Sequence, residues 1–158
     1  MNYKGINGLL TAFVESIKDL DREAKVTFAG SVGVCTPFVE LLAYSVRNKG
    51  FEMAFIPDAI VEDTRKMKLI EGVGYQVIDE EADPRDSDTV VILGGLAMPF
   101  SKKTAEDILK MIDEASNKKT KIIGVGFMGI FEKQNWMDKI DFDVVIDGTI
   151  DPVRVLRP

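Results

Sequence analysis

A three-layer α/β fold, a mostly parallel sheet of about six strands with helices on both faces, follows from three observations. Short apolar runs of strand character alternate with amphipathic helical segments along most of the chain. Thr89–Leu93 is a continuous run rich in β-branched residues, as a strand covered on both faces requires. Gly30-Ser31-Val32-Gly33-Val34-Cys35-Thr36-Pro37 lies between the apolar run Lys25–Ala29 and the amphipathic segment Phe38–Asn48. It reads as a strand, a glycine-rich turn and a helix start.

The elements follow in order. Ile6, Leu9, Leu10, Phe13, Ile17 and Leu20 recur at helical spacing and predict an opening helix over Ile6–Leu20. Lys25–Ala29 is the first strand. Thr36 suits an N-cap and Pro37 the first helical position, where no backbone N–H is needed. The helix from Pro37 is apolar nearly all round, and Gly50 suits its stop. Phe51–Ile56 is the second strand, Ala59–Glu71 a helix closed by Gly72, and Tyr75–Ile78 a short third strand. Asp79–Asp88 reads as an acidic, solvated loop without helical pattern. Thr89–Leu93 is the fourth strand. Thr104 and Asp107 form an approximate capping box for the next helix, which Asn117 ends. Lys121–Val125 and Asp143–Ile146 are the fifth and sixth strands, with a short helix about Ile130–Ile140 between them.

Right-handed crossovers leave strand order 3-2-1-4-5-6, or a close variant, in a single Rossmann-like domain over residues 1–158. The link from third to fourth strand has no helix, so an antiparallel third strand is the alternative.

Composition narrows function. There is no histidine, which removes Ser-His and Cys-His catalytic pairs and the commonest zinc ligand. A single cysteine excludes an internal disulfide and fits a cytoplasmic setting. The net charge of −6, with no basic cluster beyond Lys102-Lys103 and Lys118-Lys119, argues against nucleic acid. No apolar run has the length of a membrane span, and Met1-Asn2-Tyr3-Lys4 lacks the order of a signal peptide.

In such sheets ligands bind where strand order reverses, here between the first and fourth strands. The walls would be Gly30–Thr36 and Gly94–Pro99. A small ligand, a nucleotide or other phosphate, would take backbone N–H and hydroxyl bonds from Gly30, Ser31, Gly33, Thr36, Gly94 and Gly95, beside Cys35 and Met98. The bland alternative is that these glycines only make tight turns. Cys35, at a helix start, is the one candidate nucleophile, because a helix N-terminus lowers a thiol pKa. Burial as a small apolar residue is its competing reading.

Gly124-Val125-Gly126-Phe127-Met128-Gly129 matches G-x-G-x-x-G after a strand and before a helix, and Asp147 stands 18 residues beyond Gly129. A dinucleotide site needs this arrangement. Ile122–Gly129 resembles the opening motif of NAD(P)-dependent hydroxyacid dehydrogenases. Against it, the motif comes late, its helix is short, and its strand lies away from the reversal point. Asp58, Asp147 and Asp151 follow strand ends, but the turn reading is preferred to a metal site.

Leu96, Met98 and Phe100 in one loop, and Phe127, Met128, Ile130 and Phe131 near another, are large apolar residues where loops are usually polar. They suit a ligand pocket, a homo-oligomer interface, or packing beneath the tail that holds Ile150, Val153, Val155 and Leu156. Cys35-Thr36-Pro37-Phe38-Val39-Glu40-Leu41-Leu42-Ala43-Tyr44, with Leu93-Gly94-Gly95-Leu96-Ala97-Met98-Pro99, resembles a family of small uncharacterised proteins from methanogenic archaea. The resemblance implies a cytoplasmic archaeal protein of Rossmann-like fold and carries over no activity and no functional residue.

Three functions compete on this reading: a small-ligand binder at the sheet's carboxyl edge, a non-catalytic subunit that associates through its Met- and Phe-bearing loops, and a thiol enzyme using Cys35.

Overall fold

The computed structural model describes residues 3–158. In chain order the elements are α1 (Gly5–Ser16), β1 (Lys25–Gly30), α2 (Thr36–Ser45), β2 (Glu52–Pro57), β3 (Arg65–Ile70), β4 (Gly74–Glu81) and β5 (Ser87–Leu93). Then come α3 (Ala105–Ala115), β6 (Ser116–Phe127), α4 (Ile130–Lys133) and β7 (Val144–Gly148).

The strands make one seven-stranded sheet in the order β4-β3-β2-β1-β5-β6-β7. β2, β1, β5, β6 and β7 run parallel, and β3 is antiparallel to both its neighbours. The α/β class and the mostly parallel sheet are as expected. The count and order differ, because an additional strand stands between the second and third ones expected.

That strand is β3, and it occupies the stretch Ala59–Glu71 expected as a helix. Lys, Met, Leu and Glu favour a helix locally, but Gly72 (φ +76°) and Gly74 (φ +117°) make a hairpin turn after Ile70. β3 then pairs with β2 at Ala54 and Phe55, and β4 returns beside it. The third strand expected at Tyr75–Ile78 extends over Gly74–Glu81 and, through two reversals, runs in the direction of β2. Asp79–Asp88 is therefore not a free loop. Ala82 N–H donates to the Thr64 carbonyl at 3.2 Å, and Lys25 Nζ donates to that of Arg85 at 2.6 Å.

Each face of the sheet carries its own core. Phe13, Ile17, Phe28, Val39, Leu42 and Val91 belong to the face under α1 and α2. Ile56, Ile92, Leu96, Ile108, Met111 and Phe131 belong to the face under α3 and α4. Burying a side chain such as Phe28 or Ile92 stabilises by roughly 1.5–3 kcal/mol. Most helices end earlier than the sequence suggests: α1 stops at Ser16, not Leu20, and α2 at Ser45, with a separate 3-10 turn Arg47–Lys49 between it and Gly50. Gly50 stops its segment in the left-handed conformation, and Thr104 with Asp107 closes a complete capping box on α3. α3 ends at Ala115, two residues before Asn117, because β6 begins at Ser116.

Candidate functional site

β1 and β5 lie side by side in parallel, paired from Val26–Thr89 to Ala29–Ile92. Their carboxyl-end turns, Gly30–Thr36 and Gly94–Ala97, therefore meet at the expected reversal point. Gly30, Ser31, Cys35 and Gly95 are brought into contact there. A Cβ on Gly30 would stand 2.5 Å from Cys35 Cβ, and one on Gly95 would stand 2.4 Å from Cys35 Sγ. Both glycines make room for the cysteine, which fills the inner crevice between the two strands. Gly94 faces the other way, against Ile130 and the Gly126 backbone. Gly33, Met98 and the first turn of α2 sit further out, and Met98 is exposed.

The turn also uses its own N–H groups. Cys35 N–H donates to the Ser31 carbonyl at 2.9 Å, so the chain is already coiled before α2. Cys35, not Thr36, is the N-cap, and Thr36 is the first helical residue. Thr36 Oγ1 accepts the Gly33 N–H at 3.1 Å instead of capping the helix. The Val32 N–H donates to Asp58 Oδ1 at 3.2 Å. Asp58 follows β2 with φ +51°, a conformation that carries its carboxylate across to the neighbouring turn. The chain thus places its own anion on the turn that leads into α2, where a bound anion would otherwise be attracted.

Ser31 Oγ is buried and lacks a hydrogen-bond partner of good geometry, although it lies close to the Cys35 thiol. Burial pushes the Cys35 thiol above its ordinary value, and the Ser31 and Gly95 backbone N–H groups offset this only in part. Proximity to a helix start predicted the opposite direction. The cysteine packs too deeply for the helix end to prevail.

The second glycine turn is closed in the same manner. Both Asp147 oxygens accept the Gly129 N–H, at 3.0 and 3.1 Å. A Cβ on Gly124 would meet Phe142 and Phe131 at 3.0 and 3.1 Å, and one on Gly126 would meet Ile130 and Phe131 at similar distances. The first two glycines of the G-x-G-x-x-G pattern admit the chain's own side chains, and the third (φ +72°) makes the turn into α4. α4 spans only Ile130–Lys133, shorter than the helix expected to Ile140.

Among the described residues, no group of three or more His, Cys, Asp or Glu side chains is placed to hold a metal ion. No helix of the described residues is long and apolar enough to cross a membrane. The loop apolar residues divide. Leu96, Ile130 and Phe131 are core, whereas Val32, Val34, Met98, Phe100, Met128 and Ile150 are exposed. The tail does not cover them, since residues 151–158 are themselves exposed. Sequence reading missed the role of Asp58. Its only signal was an acid directly after a strand whose neighbour ends in a glycine turn.

Fold and site define a three-layer α/β protein in which two of the glycine-bearing turns after strands, those following β1 and β6, are each closed by a carboxylate from the end of an adjacent strand. Residues 4–151 match the family described as "Uncharacterized protein conserved in archaea (DUF2124)", and the chain belongs to that family. An uncharacterized protein of Methanocaldococcus jannaschii is 42% identical over 146 residues, covering 92% of this chain and 86% of its own. One from Methanothermobacter thermautotrophicus is 38% identical over 149 residues, covering 94% and 92%. A crystal structure of a protein of unknown function from Methanothermobacter thermautotrophicus superposes with a TM-score of 0.89 at 36% identity, covering 100% of this chain and 96% of that one. The resemblance read from the Cys35–Tyr44 and Leu93–Pro99 stretches is thereby shown.

Proposed function

We propose that this protein is a non-catalytic, self-associating subunit whose interaction surface is the carboxyl edge of its sheet. One observation carries the reading. Val32, Val34, Phe100, Met128 and Ile150, between 48% and 61% exposed, sit in the loops after β1, β5, β6 and β7. Those strands are adjacent and parallel, so the loops rise from one end of the sheet. Apolar side chains clustered on a surface mark a contact with another protein. Light scattering on the full chain tests this. An oligomer that Phe100→Asp weakens is the expected result, and a monomer at high concentration would overturn it.

A small ligand, nucleotide or other phosphate, between Gly30–Thr36 and Gly94–Pro99 is a second reading, favoured by the unpartnered buried Ser31 Oγ. Against it stand Cys35 in the crevice and Asp58 on the turn. Thermal stabilisation by a nucleotide and phosphate panel would support it, and no shift with any member would end it.

A further inference from the structure

We propose that the outer edge of β7 receives residues 152–157 of a second copy, laid antiparallel as an additional strand beside α1. The proposal rests on the self-association above and adds to the carboxyl-edge contact a second one, on the lateral edge of the same sheet. β7 is the last strand of the sheet, so one row of its backbone groups has no partner strand. Asp143 N–H donates inward to the Ile122 carbonyl at 2.8 Å. Alternation along the strand then turns the Val144 and Ile146 N–H groups outward.

A groove of about 860 Å³ runs along this edge. Five consecutive residues, Val144 to Gly148, line it together with Phe127 of β6, so it runs the length of the edge strand and opens on the face that α1 covers. Its other wall is α1, at Ile6, Leu9 and Ala12. β7 has the backbone groups for strand addition, and α1 supplies an apolar surface beside them.

The tail has the matching pattern. Ile150, Val153, Val155 and Leu156 are between 55% and 76% exposed, although the sequence Val153-Arg154-Val155-Leu156 suits a strand. In an extended chain Val153 and Val155 share one face, and Arg154 and Leu156 share the other. On β7, Val144 and Ile146 pack toward the core under α1, and Val145 packs toward the opposite core. Asp147 shares the face of Val145. Laying Val153 and Val155 beside Val144 and Ile146 puts Arg154 on the face of Asp147.

Charge agrees with this placement. Asp141, Asp143 and Asp147 are the only charged residues in 141–150, while 152–158 holds Arg154 and Arg157 and no acid. A six-residue strand spans about 20 Å, enough to cover β7. The occupant is a second copy because each chain's own tail leaves the groove through Thr149 and Ile150 and stays exposed from Asp151 onward. A twofold axis would close both open edges at once.

The test uses the full chain, light scattering and amide hydrogen exchange, with Val155→Asp, a change at a 74% exposed side chain that disturbs no core. The expected result is a dimer whose Val144 and Ile146 amides exchange roughly a hundredfold more slowly than in a monomeric Val155→Asp variant. A dimer that survives Val155→Asp, with those amides unprotected, overturns the tail placement and leaves self-association standing. A monomer with those amides protected places the tail on its own β7 and overturns the exchange. A monomer without protection overturns both.

Discussion

The Asp58 carboxylate accepts the Val32 N–H at 3.2 Å, so the turn that leads into α2 receives an anion supplied by the end of the next strand of the same sheet. This contact separates two uses of one geometry. A glycine-rich turn before a helix attracts negative charge whatever its source. Here the source is internal, which accounts for a phosphate-like turn with no lysine or arginine in it.

Replacing that carboxylate tests the point. Asp58→Asn keeps a side chain that tolerates φ +51° and removes the charge. The expected cost is about 1 kcal/mol, as for a hydrogen bond at a half-buried site. The variant should also gain a rise in Tm with added sulfate that the wild type lacks. Equal sulfate responses in the two proteins would mean that Asp58 does not occupy an anion site.

Gly95 and Cys35 should be coupled. Gly95→Ala would put a Cβ 2.4 Å from the thiol sulfur and should cost about 1–3 kcal/mol by overpacking. Removing the sulfur as well, in Gly95→Ala with Cys35→Ala, should recover part of that loss. Urea denaturation of the four proteins gives the coupling, expected between about 0.5 and 3 kcal/mol. Strictly additive effects would show that the two residues do not compete for the same space.

The sheet was legible in the sequence except for β3, one strand in from its edge. Central strands such as β5 are sandwiched between two cores, so their apolar runs announce themselves. β3 buries little beyond Met67, and nothing in Arg65–Ile70 distinguishes a solvated hairpin arm from a helix. From the sequence the turn glycines read either as tight turns or as places where a ligand approaches the backbone. What approaches them, Cys35 at Gly95 and Phe131 at Gly126, depends on tertiary packing that spacing does not encode. Asp58 and Asp147 were weighed as metal ligands, because their partners are backbone N–H groups of a neighbouring turn and leave no mark on composition.

Cys35 should titrate late. Burial raises its pKa above the ordinary 9.0, so the folded state holds the thiol proton more tightly than the unfolded state does. Its contribution to stability is then fully present below pH 9.0 and is lost as pH climbs through the folded value. The wild type should lose more stability than Cys35→Ala between neutral pH and alkaline pH. Native labelling at neutral pH should also be slower than for a free thiol, becoming fast in urea. Rapid native labelling would restore Cys35 as a nucleophile.

Asp147 gives the sharpest test of the dinucleotide pattern. In such a site the acid after the next strand receives ribose hydroxyls, but here both of its oxygens already accept the Gly129 N–H. Phe131 and Ile130 occupy the space beside Gly126 where a pyrophosphate would approach. Adding NAD+ or NADP+ should therefore leave the wild-type Tm unchanged. Asp147→Ala should lower stability by about 0.5–1.5 kcal/mol through loss of the turn's hydrogen bonds, again without any response to cofactor. A cofactor-dependent rise in Tm that Asp147→Ala abolishes would mean that the carboxylate leaves Gly129 to bind ribose.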